Sequence, residues 1–264
     1  MRALHHGPEA FVLPNAWDVA SGVLLADAGF PAVGTTSLGV TAAAGLPDGA
    51  AAGVELTVAL ARALVERLAV PVTVDLEGGY SEDPARVAAL AAQLAELGVA
   101  GVNLEDGRGS GQLRTAAEHA AVIRAVASAA PGLFINARTD TYWLQVGHED
   151  DRLAETTTRL VAYRHAGASG VFVPGLSDLA AIATVADSVA LPLNVLWRPG
   201  VSLSALAAAG VARISTGSAL YRHALGAAVA VAHAARTDTQ PPTVPVDYDR
   251  LQHLLGAPPG RAGR

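Results

Sequence analysis

The sequence predicts an α/β fold, a (β/α)8 TIM barrel in a single domain, and three observations carry that prediction. Short apolar runs alternate with Ala/Leu-rich stretches of helical character along the chain. Two kinds of junction recur between them. One is a glycine that closes a helix just before a strand, as in ELGVAGVNLED and HAGASGVFVPG; the other is a proline that leads into a strand, as in VPVTVDLEG and APGLFINARTD. Glycine is the common helix stop and proline cannot continue a helix, so both mark helix-to-strand turns. The repeating units number eight, which favours a closed barrel over an open doubly wound sheet. The open alternative also lacks a GxGxxG after its first strand.

In order, FVLPNAWD supplies the first strand near 11–14, followed by a helix near 18–28. DAGFPAVGTTS gives the second strand near 32–37 and a helix at 54–68. Proline-led VPVTVDLEG gives the third at 71–77, with a helix at 84–97. GVNLED forms the fourth at 101–106, then a helix at 115–129; FINARTD the fifth at 133–139, then a helix at 150–166. The last three strands fall at 170–174, 192–197 and 211–215, with helices at 178–187, 202–209 and 218–235. Continuous apolar strands of this kind suit a parallel sheet covered by helices. The barrel is expected to occupy 1–236. The tail 237–264 is expected to carry one short helix near 247–255 and a disordered end.

Composition narrows the function. All 18 basic residues are arginine and there is no cysteine, which excludes Schiff-base catalysis, a P-loop lysine, thiolate metal sites and a cysteine nucleophile. Net charge is −6 with no basic cluster, which argues against nucleic acid. No apolar run is long enough for a membrane span and MRALHHGPEAF lacks a signal-peptide core, so a soluble, cytoplasmic protein is expected.

Barrel active sites lie at the carboxyl ends of the strands. Those ends carry Thr35 and Ser37, then Asp75 and Glu77, then Asn103, Glu105 and Asp106, then Asn136, Arg138 and Asp140, and finally Asn194, Ser215 and Thr216; Asp48 falls in the loop after strand 2. No histidine or cysteine is among them, so a hard, oxygen-liganded cation, Mg²⁺ or else Mn²⁺, is the metal expected. On a strand, Asp75 and Glu77 would point to one side, and paired carboxylates need a cation or a raised pKa. Either Asp106 or Asp140 could instead cap a helix. Arg138 matches a substrate carboxylate bidentately, or else pairs with one of the acids. Thr35 and Asn194 join it as substrate-binding candidates, and STGS (215–218) has the make-up of a weak phosphate cup.

At these residues the chain resembles the isocitrate lyase and phosphoenolpyruvate mutase superfamily, through NAWDVASGVLLADAGFPAVGTTSLGVTAAAGLPDG, VTVDLEGGY, GVNLEDG, FINARTD and GVARISTGSALYR in order. The resemblance is nearest to its short, phosphonomutase-like members. It implies that Asp75 is the direct Mg²⁺ ligand and that Glu77, Glu105 and Asp48 hold the metal's waters. It further implies that Ser37, Leu38 and Gly39 bind the substrate's carboxylate and oxo group, and that Arg138 engages the substrate; Arg138, Glu105 and Asp48 are the catalytic candidates. The expected reaction is Mg²⁺-dependent cleavage of a C–C bond in a small 2-oxo or 2-hydroxy di- or tricarboxylate through an enolate. The alternatives are C–P bond chemistry on a phosphonopyruvate-like compound, or a 2-oxo-acid-binding barrel with weak or lost catalysis. The loop EDGRGSGQLR (105–114) lacks the lysine and cysteine that better-known members use, and its three glycines suggest a lid. The resemblance also implies a homo-oligomer, a dimer or tetramer, whose last helix is exchanged between subunits.

Overall fold

A computed structural model describes residues 1–7, 9–49, 53–108 and 111–256. Its strands are β1 (Phe11–Leu13), β2 (Asn15–Ala16), β3 (Val33–Thr35), β4 (Val72–Asp75), β5 (Gly101–Glu105), β6 (Phe134–Arg138), β7 (Gly170–Phe172), β8 (Leu193–Leu196) and β9 (Val211–Ser215). They form one parallel sheet in the order β1-β9-β8-β7-β6-β5-β4-β3-β2. The expected first strand, 11–14, is β1 with Pro14, and β2 continues it beyond the expected end. Pro14 lacks the N–H that would keep the strand regular, yet its carbonyl still accepts from Gly34 N–H at 2.8 Å. β1 pairs β9 on one side and β2 pairs β3 on the other, so the chain through Pro14 closes an eight-unit barrel.

The helices are α1 (Arg2–His5), α2 (Val19–Asp27), α3 (Ser37–Ala43), α4 (Val54–Arg67), α5 (Pro84–Glu96), α6 (Ala116–Ala129), α7 (Glu149–His165), α8 (Leu179–Val189), α9 (Leu203–Ala208), α10 (Ala219–Thr237) and α11 (Tyr248–Gly256). Local chemistry starts and stops them. Asp18 with Ser21, and Thr115 with Glu118, form capping boxes, and Asp83 caps a helix that opens on Pro84. Gly98 and Gly167, at φ 96° and 103°, end α5 and α7 in the left-handed region read from the sequence. Two helices, α1 and α3, have no counterpart in the sequence reading; each is short and carries too little periodicity to register.

Alternation along the strands divides the molecule into two interiors. Val72, Val74, Val102, Leu104, Ile135 and Ala137 face the helices and are buried in one aliphatic cluster. The alternate residues Asn103, Asn136, Asn194 and Arg213 are also buried but belong to a polar layer inside the barrel. His5 of α1 stands at the other end of that interior, stacked on Phe134 at 4.0 Å and edge-on to Phe11 at 5.0 Å. The tail folds back as α11, whose Leu254 carbonyl accepts from Arg67 at 3.1 Å and whose leucines are partly buried. The expected disordered end, 257–264, lies outside the described residues. Among the described residues no helix is long and apolar enough to cross a membrane.

Candidate active site

Asp75 ends β4, beside Asn103 of β5. Its N–H donates to Thr35 Oγ1 at 3.0 Å, and its Oδ2 accepts from Ser37 N–H at 3.3 Å. Its Oδ1 is buried and has no hydrogen-bond partner among the described residues. Thr35 is therefore a buried clamp between β3 and β4, with its own carbonyl accepting from Asn15 at 2.7 Å, and it does not reach the cavity.

Two neighbouring cavities lie at the carboxyl ends of the strands. The inner one, about 90 Å³, is lined by Ser37, Leu38, Asp75, Asn103 and Ser215. The outer one, about 680 Å³, is lined by Glu77, Glu105, Tyr80, Arg108 and Arg114. Asp48, Arg138 and Trp143 border both. Gly39 lines neither. It lets α3 lie close to the first strand, because a side chain there would meet Trp17 Cβ at 2.7 Å and Thr36 Cγ2 at 2.8 Å. Asn194 is fully buried below the cavities, its Oδ1 accepting from Ser215 at 3.0 Å.

Glu77 reaches the mouth by a route the sequence did not suggest. β4 stops at Asp75, and Glu77 sits at φ 50° in a turn closed by Gly79 N–H to Leu76 O at 2.8 Å. Strand alternation is not what brings the two acids together. A left-handed glutamate costs on the order of 1 kcal/mol and is the kind of strain that collects at functional sites. Tyr80, at φ 58°, repeats it within the same EGGY turn.

Arg138 is clamped rather than free. Its Nη1 meets Glu105 Oε2 at 2.7 Å, and its Nε and Nη2 donate to both oxygens of Asp140 at 2.6 and 3.1 Å. The Phe172 ring lies 5.6 Å from its guanidinium carbon. Asp140 is thus the arginine's holder and not a helix cap. Burial raises the Glu105 carboxyl well above its ordinary range, opposed by Arg138 and reinforced by Asp140, Asp75 and Glu77. Burial also raises Asp48, with a Ser37 hydrogen bond opposing and Asp75 adding to the rise. The same group of acids holds the Arg138 guanidinium charged against its own burial.

The other acid of the β5 end, Asp106, takes no part in the mouth and caps nothing; Thr115 caps α6. It is fully buried and accepts from Thr139 Oγ1 at 2.8 Å, Asp140 N–H at 2.9 Å, Arg159 Nη1 at 3.1 Å and Tyr163 OH at 2.6 Å. Sequence reasoning missed this junction because its partners come from the loop after β6 and from α7. The 105–114 loop closes on itself through a Gly107–Leu113 bridge. It is tied to the EGGY turn by Arg114, which donates to Gly78 O at 2.6 Å and Ser81 O at 2.8 Å. Arg108 pairs with Glu82 at 2.9 Å; Gly109, one of the three loop glycines, is outside the described residues. In STGS, the Gly217 N–H and the Thr216 hydroxyl both go to Asn15 Oδ1, at 2.9 and 3.2 Å. The expected phosphate cup is instead a strap onto the first strand.

The donor set fits Mg²⁺ in a particular way. Among the described residues no three acids or histidines converge closely enough to ligate one ion together. What the mouth offers is a buried Asp75 oxygen without a partner, with Asp48 on the same cavity and Glu77 and Glu105 on the adjoining one. Mg²⁺ commonly keeps several waters and takes only one or two carboxylates directly, so this arrangement suits it.

The fold and site together define a (β/α)8-barrel enzyme with its acids and its clamped arginine gathered at one mouth. The chain belongs to the family described as phosphoenolpyruvate phosphomutase, whose model matches residues 1–236. It is 43% identical over 254 residues to the uncharacterized protein Rv1998c of Mycobacterium tuberculosis, across 96% of this chain and 94% of that one. It is 31% identical over 201 residues to 2-methylisocitrate lyase of Bacillus subtilis, across 73% of this chain and 64% of the relative. A solved phosphonopyruvate hydrolase, in complex with oxalate and Mg²⁺, superposes with a TM-score of 0.82 at 20% identity, across 97% of this chain and 93% of that one. The resemblance read from the motifs therefore holds through the whole barrel.

Proposed function

We propose that the protein is a Mg²⁺-dependent lyase that breaks a C–C bond in a small 2-oxo or 2-hydroxy di- or tricarboxylate. The observation that carries this reading is the unpartnered Asp75 Oδ1 at the inner cavity, which shares Asp48 with the neighbouring outer cavity lined by Glu77 and Glu105. Asp75 is the direct ligand; Asp48, Glu77 and Glu105 accept from the ion's waters. When bound, the cation supplies Lewis-acid stabilisation of the negative charge that develops as the enolate forms. Asp140 and Glu105 fix the Arg138 guanidinium so that its remaining edge receives a substrate carboxylate. Ser37 and Leu38, at the start of α3, border the pocket for the oxo group and its neighbouring carboxylate.

Loss of CO₂ from an oxaloacetate-like acid is the reaction that asks least of this chain. The bonding electrons pass into the enolate, and no lysine or cysteine is required to protonate a leaving group. The apolar residues that α10 leaves exposed, Leu225, Val229 and Val231, support a homo-oligomer built on that helix. The test is a thermal-shift screen of 2-oxo and 2-hydroxy acids with Mg²⁺ and with chelator, followed by CO₂ release from the acids that bind. The reading expects Mg²⁺-dependent stabilisation and turnover above the metal-only rate. A screen with no Mg²⁺-dependent ligand sinks it, and a change in the ³¹P spectrum of phosphonopyruvate would point to C–P cleavage instead.

A further inference from the structure

Arg213 has no role in the chemistry so far, and its position is costly. It is fully buried inside the barrel, it hydrogen-bonds no carboxylate, and its Nη1 has no partner among the described residues. An unpaired buried charge costs several kcal/mol, so the barrel is not made more stable by keeping it there. Burial pulls its guanidinium down to about 9, with Asp75 opposing, which leaves it cationic at neutral pH.

What Arg213 does is orient its neighbours. Its Nη2 donates to Asn103 Oδ1 at 3.0 Å, and its Nε donates to Ser215 Oγ at 3.0 Å. A guanidinium can only donate, so the Asn103 amide has to turn its oxygen toward Arg213. Asn136 then has to present Nδ2 to that same oxygen, and does so at 2.8 Å. Ser215, already accepting, passes its hydrogen to Asn194 Oδ1. One buried cation thereby fixes four side chains. Both hydrogen bonds of the Asn103 side chain fall on Oδ1, and Asn103 lines the inner cavity next to Asp75. Its NH₂ group is what it turns to that cavity.

We propose that Asn103 Nδ2 donates to an anionic oxygen of the bound 2-oxo acid, and that Arg213 is the positioning residue that holds the amide in that orientation and adds positive charge beneath it. This rests on the lyase reading above and extends it. A donor prearranged where negative charge develops is worth about 10²–10³-fold in turnover. Asn103 lines the inner cavity with Arg213 buried behind it, and Arg138 lines the same cavity.

The test is calorimetric binding of oxalate, a planar dianion resembling the enolate of a 2-oxo acid, in the presence of Mg²⁺. Asn103→Asp keeps the acceptor that Arg213 needs but replaces the donor with a second acceptor. It is expected to fold, to bind Mg²⁺ alone, and to lose oxalate affinity by about tenfold or more, a change of about 1.4 kcal/mol. Arg213→Met is expected to lose oxalate affinity in the same sense and Arg213→Lys to stay within about threefold of wild type; where turnover is measured, kcat falls more than KM rises. Wild-type oxalate binding by both Asn103→Asp and Arg213→Met overturns the assignment and leaves the lyase reading standing. An Arg213→Met protein that folds and binds like wild type removes Arg213 from it. Absence of Mg²⁺-dependent oxalate binding in the wild-type protein overturns both readings.

Discussion

Asp75 and Asp106 end neighbouring strands within the same barrel, yet they are opposites. Asp106 receives four hydrogen bonds from Thr139, Asp140, Arg159 and Tyr163 and faces no cavity. Asp75 keeps one buried oxygen without a partner and borders the inner cavity. A buried carboxylate whose lone pairs are all used holds the architecture, because its desolvation is offset within the protein. One left unsatisfied at a cavity is set aside for something that arrives later. Asp106 reaches the mouth through Asp140, whose N–H goes to Asp106 and whose side chain grips Arg138.

The sharpest break in this comparison is at Asp75. Asp75→Ala should lower Mg²⁺-dependent turnover by about 10³-fold or more, since Lewis-acid stabilisation is worth several kcal/mol. Its melting temperature should fall less than that of an Asp106 variant, because the only hydrogen bond its carboxylate accepts among the described residues is the one from Ser37 N–H. Retained turnover in a well-folded variant would reverse the roles given to the two acids. Asp106→Ala should do the opposite and cost about 3–5 kcal/mol in urea unfolding, since Arg159 and Tyr163 lose a buried partner. A variant with unchanged stability and abolished activity would make Asp106 part of the chemistry.

His119 sharpens the same region. It is fully buried, stacks edge-on with Tyr163 at 4.8 Å, and burial holds its pKa down at about 4. His5, under the barrel, is likewise lowered by burial to about 4. Both remain neutral in the fold while the unfolded chain takes up protons below about pH 6.5. Stability from these groups is complete above pH 6.5 and is lost as the pH falls toward 4, by roughly 3 kcal/mol for each. A His119→Phe variant should flatten about half of that slope in urea titrations across the window; a slope identical to wild type would show that His119 is not the group responsible. The smallest effect belongs to the loop. The Arg108–Glu82 pair is largely exposed on the glutamate side, so Arg108→Ala should change stability by less than about 1 kcal/mol. A larger loss would mean that this pair, and not Arg114, fastens the loop to the EGGY turn.

Much of this is legible in the sequence. The glycine and proline junctions located the eight strands to within a few residues, since a helix stop is a local property of the backbone. The residues Asp75, Glu105 and Arg138 could be nominated because barrel topology brings strand ends to one face. Other assignments needed distances. Thr35 and Gly39 read as substrate contacts but serve to bring elements close together. The STGS stretch read as a phosphate cup, yet Asn15, some 200 positions away in sequence, takes its donors. Arg213 stood in an apolar strand, VARIS, and passed unremarked, although a charge alternating with aliphatic residues was a usable sign that it faces inward.

By itself the sequence determined the order of the barrel's strands and principal helices, the glycine and proline stops between them, and the absence of any lysine or cysteine to do chemistry. These follow from backbone preferences over a few neighbouring residues and from the residue types present. Only the tertiary structure decided which acid is satisfied and which is kept open, that Arg138 is clamped, and that a second buried arginine fixes the amides below the cavity. Burial and hydrogen bonding between strands far apart in sequence settle those questions, because the cost of a buried charge depends on what lies within about 3 Å of it.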